Sequence, residues 1–144
     1  MVRAEWTTDI HSQIYKDSIQ IRHEVFIEEQ GFPPDSDIDD LEAASEHLVL
    51  YEDHTPLATA RIYNVRDKVY RIERVAVLKD ERNRGLGKVL LQELENHIEQ
   101  KNAHEITLKS KGIAVDFYKK HGYEKNGEEF LDYGIPHLEM VKKL

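Results

Sequence analysis

Residues 82–88, Arg-Asn-Arg-Gly-Leu-Gly-Lys, combine the residue types that bind a phosphate group. They lie between a run of β-branched residues and an amphipathic stretch, where amides at a helix start point outward and the helix dipole favours an anion. Gly85 and Gly87 let the backbone approach the anion without a Cβ in the way. An ordinary loop with solvated arginines is the alternative, but the strand–loop–helix context favours the anion site. The segment is neither a Walker A loop nor a G-x-G-x-x-G dinucleotide motif.

The positive charge of this loop contrasts with an acidic chain. Over 144 residues the formal net charge is −8, which disfavours nucleic acid and anionic lipid as partners and favours a small polyanion as the ligand of the loop. No apolar run could span a bilayer and the first residues lack the apolar stretch of a signal peptide, so no membrane partner is expected. The absence of cysteine excludes disulfides, thiol nucleophiles and cysteine-ligated zinc, and a cytoplasmic location fits best.

Hydrophobic spacing and turn residues divide the chain into ten elements in the order β-α-β-β-β-α-β-α-β-β. The strands are predicted over 2–7, 47–51, 57–65, 69–78, 105–108, near Tyr123 and over 137–142. The helices are predicted from an Asp9 N-cap to about Gln30, from Gly85 to about Lys101 and over 113–121. This order predicts one α/β (α+β) domain over residues 1–144, with a mixed sheet and helices packed on both of its faces.

Two motifs in register resemble those of the GNAT acetyltransferases. Residues 82–87 are similar to the family's Q/R-x-x-G-x-G/A motif, and they follow a strand that ends in Val-Ala-Val at 75–77. Residues 114–123 are similar to its A-x-x-F-Y-x-x-x-G-F/Y segment, at the right distance downstream. Residues 21–31 and 134–137 further resemble a small bacterial branch of the family.

The resemblance implies the GNAT fold, with a mostly antiparallel sheet, and an N-acetyltransferase that uses acetyl-CoA and no metal. It implies direct transfer, in a ternary complex, to the primary amine of a small molecule such as an amino acid or amino sugar. The implied cofactor-binding residues are Val75, Ala76, Val77, Arg82, Asn83, Arg84, Gly85, Leu86, Gly87, Lys88, Phe117 and Tyr118. Asn83 replaces a glycine common in close relatives, and asparagine tolerates positive φ.

The function has one alternative, a non-catalytic acyl-CoA-binding regulatory module. Tyr118 favours the enzyme, because the matching tyrosine of the family reaches the thioester sulfur and a pure binder has no need of that hydroxyl. Tyrosine stays protonated at working pH and could therefore donate a proton to the leaving thiolate. Packing of Tyr118 beside Phe117 in the core is the competing interpretation. The oligomeric state is left open between a monomer and a homodimer.

Glu73 is the candidate base for the acceptor amine. Strict alternation along the predicted strand 69–78 places Glu73 on one face with Val69, Val75 and Val77. Desolvation on this apolar face would raise the pKa of a carboxylate. The alternative is a structural ion pair with Arg71 or Arg61. Glu73 is also counted among the candidate substrate-binding residues.

The other candidate substrate-binding residues are Arg22, His47 and His137. Each histidine begins a predicted strand and could line a pocket or make a structural hydrogen bond. Arg22 could bind a substrate carboxylate or pair with Glu24, Glu29 or Glu73. The acidic segment 35–46 superficially resembles a calcium-binding loop but has Asp40 where glycine is required, so it is predicted to be a solvated loop near the substrate entrance.

Overall fold

The computed structural model describes all residues from 1 to 144 and contains eight strands and three α-helices. The strands are β1 (Val2–Thr7), β2 (Glu46–Glu52), β3 (Thr55–Arg66), β4 (Val69–Val77), β5 (Glu105–Lys111), β6 (Glu124–Lys125), β7 (Phe130–Asp132) and β8 (Ile135–Lys143). The α-helices are α1 (Gln13–Arg22), α2 (Leu86–Glu99) and α3 (Val115–Lys120). No helix is both long and apolar enough to cross a membrane.

All eight strands form one sheet in the order β1-β2-β3-β4-β5-β8-β6, with β7 also paired to β8. Only β4 and β5 are parallel, so the predicted mixed and mostly antiparallel sheet is confirmed. Successive side chains of β2 enter opposite faces, as a strand requires. Leu48 and Leu50 join α2 in the larger core, whereas Val49 and Tyr51 pack with α1 in a smaller one.

The long first helix begins later than predicted and changes character midway. Ser12, not Asp9, is the N-cap, because its Oγ accepts from the amide of Tyr15 while Asp9 instead accepts from His11. The helix continues beyond α1 as a π-helical stretch over His23–Glu29, a conformation often found at functional sites. The short strand β7 was not predicted, because its residues show no clear alternation.

A β-bulge interrupts β4 next to Glu73. Arg61 of β3 pairs with Glu73 and Thr59 pairs with Ala76, so β4 has one more residue than its partner between these two pairs. Arg74 takes a left-handed backbone with φ 55°, which is rare for a residue with a long side chain.

The bulge contradicts the prediction that Glu73 shares a face with Val75 and Val77. Both valines pack against the larger core, whereas Glu73 lies on the opposite face with Arg61. Strict alternation fails here because the extra residue shifts the register of side chains by one position.

The acidic segment 35–46 is not the solvated loop that was predicted. Asp37 and Glu42 are buried against the α1 face of the sheet, where both bind Arg22. Arg61 also binds Glu42 and makes two hydrogen bonds to Asp39. The negative charges are therefore compensated by buried arginines rather than by water.

Candidate active site

The site opens where β4 and β5 separate. Their parallel pairing runs from Val69 and Glu105 to Ile72 and Leu108, and beyond that point both strands continue without pairing to each other. The gap forms a cavity of about 480 Å³ that is lined by both strands, by Tyr118 of α3 and by the β7–β8 turn. A cavity of this size accommodates a small molecule.

The loop before α2 has the geometry expected for an anion site. Asn83 and Gly85 take positive φ values of 67° and 75°, so the substitution of asparagine for glycine is accommodated as predicted. No side chain caps the start of α2, and the first amides of a helix have no partner within it. Leu86 is buried and anchors the helix start, while Gly87 and Lys88 leave its surface open.

The backbone of β4 offers a free edge toward the cavity. The amide of Leu78 points toward β3 and donates to the carbonyl of Leu57. The carbonyl of Val77 points to the opposite side of the strand, where it accepts from Nε of Arg82 at 3.1 Å. Because backbone groups alternate along a strand, Val75 also directs its amide and carbonyl toward the open edge. An extended polar chain could therefore pair with this edge.

Both arginines of the loop are held by carboxylates. Arg82 lies 2.5 and 2.7 Å from the two oxygens of Glu29, at the end of the π-helical stretch. This hydrogen bonding lowers the pKa of Glu29. Arg84 bonds Glu52 and Glu81, 2.8 and 2.7 Å away. The open amides and the exposed Lys88 are thus the groups of this loop with free capacity for an anion.

Tyr118 belongs to the larger core and also lines the cavity. Burial raises the pKa of its hydroxyl to about 12, so the hydroxyl keeps its proton throughout the neutral range. Its ring meets that of Phe117 edge to face, with centroids 5.2 Å apart. Phe117 lies beside the start of α2, because its Cζ would be 3.7 Å from a Cβ placed on Gly87. The two aromatic residues therefore serve different surfaces, as their helical spacing predicts.

Glu73 lines the cavity, but each of its carboxylate oxygens forms an ion pair with an arginine. Arg61 Nη2 lies 2.8 Å from one oxygen and Arg71 Nε lies 3.3 Å from the other. Arg71 in turn bonds both oxygens of Glu139, on β8. Glu73 is thus part of an ion-pair network that crosses the sheet, in the arrangement of the alternative interpretation.

Two of the candidate substrate-binding residues, Arg22 and His47, do not line the cavity and instead make structural hydrogen bonds, the alternative that the sequence left open for both. Arg22 is 1 % exposed, and it bonds the side chains of Asp37 and Glu42. His47 is equally buried, its Nε2 lies 2.8 Å from the carbonyl oxygen of Glu42, and burial lowers its pKa. Arg22 therefore fixes the acidic segment to α1, and His47 fixes it to β2.

His137 does line the cavity, together with residues that sequence reasoning missed. Its Nδ1 lies 2.8 Å from the carbonyl oxygen of Ile135, and a donated proton at Nδ1 leaves Nε2 free. The missed residues are Phe26, Phe32, Arg74, Lys111 and Tyr133. Only their position relative to the splayed strands, which is a tertiary feature, could have identified them. No three or more histidine or carboxylate side chains are arranged so that they could hold a metal ion.

Comparison with known proteins decides the family. Residues 14–144 match the family model of the acetyltransferase (GNAT) domain. The chain belongs to the GNAT acetyltransferase family. It is 42% identical over 128 residues to the uncharacterized N-acetyltransferase YjcF of Bacillus subtilis, with 88% of this chain and 91% of that protein covered.

Two solved structures share the GNAT fold. The crystal structure of Escherichia coli ElaA has a TM-score of 0.89 at 21% identity, with 99% of each chain covered. A GNAT family acetyltransferase from Elizabethkingia anophelis, solved with acetyl-CoA bound, has a TM-score of 0.72 at 13% identity, with 99% of this chain and 98% of that chain covered. Membership of the GNAT family makes this chain an acetyl-CoA-dependent acyltransferase.

Proposed function

We propose that this chain acetylates the primary amine of a small molecule, of amino-acid or amino-sugar type, by direct transfer from acetyl-CoA in a ternary complex. The observation that carries the proposal is the cavity between β4 and β5, which brings the open β4 edge and Tyr118 to one place. The acceptor would enter beside Tyr133, which lines the cavity and is largely exposed.

The chain's own groups fit the cofactor. The open amides from Gly85 to Lys88 would hold its pyrophosphate, because unpaired amides at a helix start favour phosphate. The amide and carbonyl of Val75 and the amide of Val77 would bond the amide-containing pantetheine arm, as an added strand would, while the carbonyl of Val77 stays with Arg82. When bound, acetyl-CoA supplies the activated acyl group as a thioester.

Tyr118 is the proposed general acid. Its hydroxyl makes no hydrogen bond within the chain, so it is available to a bound molecule in the cavity it lines. Because burial keeps its proton in place, it can offer that proton to the departing sulfur.

Glu73 is proposed to act as an ion-pair partner rather than as the base. Its two oxygens are engaged by Arg61 and Arg71, and the apolar surroundings that would have favoured a base are absent because of the bulge at Arg74. The ammonium of the acceptor would then lose its proton to water in the open cavity.

Two measurements test the proposed function. Thermal melting should shift upward with excess acetyl-CoA by mass action, and CoA release should follow the addition of one or more small amines. Gly87→Val should abolish the melting shift, because its branched side chain would cover the helix amides beside Phe117. Gly87→Ala is the matched control, since a Cβ there makes only ordinary contact with that ring. A melting shift without release of CoA by any amine would favour the binding module instead, and no shift would reject both functions.

A further inference from the structure

Three carboxylates line the cavity, and each already has a cation as partner. Asp37 is bound by the buried Arg22 at 2.9 Å, and Asp132 by Lys109 at 2.6 Å. Glu73 carries the two arginines described above. The acidic groups of the cavity are therefore compensated from within the chain and leave little net attraction for a second cation.

Arg74 lines the same cavity but is less well compensated. Its Nε donates to the carbonyl of Asp37 at 2.9 Å, and its Nη2 lies 3.1 Å from Oδ2 of Asp39. Asp39 is mainly committed to Arg61, whose two terminal nitrogens bond both of its oxygens at 2.9 and 2.7 Å. Nη1 of Arg74 has no partner within the chain.

The pKa shifts of Arg74, Arg61 and Arg71 agree with this difference in compensation. Burial and the charge of Arg61 lower the pKa of Arg74. Burial acts in the same direction on Arg61 and Arg71, yet hydrogen bonds to Asp39 and Glu139 respectively raise the pKa of both. Arg74 is thus the arginine of this group that would gain most from another anion.

The backbone conformation of Arg74 places its guanidinium near the point where β4 and β5 separate. Arg74 is the residue with φ 55° in the β4 bulge, two residues beyond Ile72, the last residue of β4 that pairs with β5. A bulge redirects a side chain, and strained backbone in a non-glycine residue is typical of functional sites. An ordinary strand residue at this position would direct its side chain according to strict alternation.

We propose that Arg74 binds a carboxylate of the acceptor through its free Nη1, so that the enzyme selects amines of amino-acid type over amino sugars. Arg74 is then a specificity-determining residue. The Nε and Nη2 contacts fix the guanidinium plane before the acceptor arrives, which reduces the entropy lost on binding. The inference rests on the proposed acetyl transfer and deepens it by naming the acceptor class.

The test compares amines that differ only in the carboxylate. CoA release would be measured with phenylalanine against phenethylamine, lysine against cadaverine, and glucosamine 6-phosphate as an anionic amine without a carboxylate. We expect wild-type kcat/KM to favour the amino acid of at least one pair by about ten- to hundred-fold, the range for a hydrogen bond to a charged group. Arg74→Gln should remove this preference mainly through KM, and Arg74→Lys should retain part of it.

The variant Asp39→Asn distinguishes two roles of Arg74, which are binding of the acceptor and attachment of the acidic segment 35–46. This variant loses the carboxylate partner of Arg74, but the Nε contact to the carbonyl of Asp37 still holds the guanidinium in the cavity wall, so the preference for the amino acid should remain. Loss of the preference in Asp39→Asn to the same degree as in Arg74→Gln would overturn the proposal.

The remaining outcomes are equally decisive. The proposal is overturned if the wild type acetylates the amines as well as the amino acids, if it prefers glucosamine 6-phosphate, or if Arg74→Gln keeps the preference. In those cases acetyl transfer itself stands. Absence of both a melting shift with acetyl-CoA and turnover of every amine would instead reject the proposed function, and the role of Arg74 with it.

Discussion

The guanidinium of Arg82 forms a two-point ion pair with the carboxylate of Glu29, at 2.5 and 2.7 Å, while its Nε donates to the carbonyl of Val77. The side chain of Arg82 therefore connects the loop before α2 with the end of the π-helical stretch and with the open edge of β4. This ion pair holds the loop in place. It also neutralises the positive charge of Arg82, which the sequence assigned to the anion site.

Removing the carboxylate should release that charge. Glu29→Gln frees the guanidinium of Arg82 and takes a negative charge away from an anionic ligand, so acetyl-CoA should bind about two- to five-fold more tightly, as expected for a surface charge. Calorimetric titration would measure the change. Glu28→Gln is the matched control, because Glu28 is exposed and its one ion pair is a long contact of 3.7 Å with His23. Binding more than five-fold weaker in Glu29→Gln would show that the ion pair is needed for the loop to bind.

Glu73→Gln should affect stability more than catalysis. The substitution replaces a carboxylate that serves both Arg61 and Arg71, and loss of hydrogen bonds to charged groups destabilises by roughly 1–3 kcal/mol. Chemical denaturation should report this loss, while turnover per folded molecule stays within about three-fold of the parent. A large fall in rate at neutral pH with unchanged stability, together with loss of the acidic limb of the pH–rate profile, would instead identify Glu73 as the base.

Acid should destabilise the domain through Asp39. Hydrogen bonding to Arg61 lowers the pKa of Asp39 from 3.8 to about 2. Since the folded state then binds fewer protons than the unfolded state, the stabilisation is present above pH 4 and is lost as pH falls toward 2. Asp39→Asn should flatten this part of the stability curve, which denaturant melts at several pH values would measure. Curves of equal slope for the variant and the parent between pH 4 and 2 would contradict this contribution.

The sequence predicted those parts of the fold that depend on local spacing. Leu90, Leu94 and Ile98 recur at helical intervals and are all buried in α2. The loop at 82–88 was recognisable because its glycines and cations directly precede that helix. Local patterns of this kind carry their own structural information.

The arrangement of charges could not be predicted from local patterns. Arg22 finds its partners 15 and 20 residues away, and Arg61 reaches Glu42 19 residues before it. The bulge at Arg74 leaves no mark in the alternation of β4, yet it moves Glu73 to the other face. Both features depend on the register of distant segments, which periodicity does not encode.

The hydroxyl of Tyr118 is the most direct test of acetyl transfer in this cavity. Tyr118→Phe keeps the ring and its packing, so it removes only the proposed proton donor. Turnover should fall by roughly ten- to thousand-fold, in line with general acid catalysis, while the affinity for acetyl-CoA changes little.

Tyr123→Phe is the matched control for that measurement. Tyr123 is a neighbouring buried tyrosine of the same core whose hydroxyl bonds Glu95 at 2.7 Å and which does not line the cavity. Steady-state CoA release by the parent, Tyr118→Phe and Tyr123→Phe, measured with the same amine, should show the loss in Tyr118→Phe alone. Turnover of Tyr118→Phe within a factor of about two of the parent would contradict the acid role of this hydroxyl.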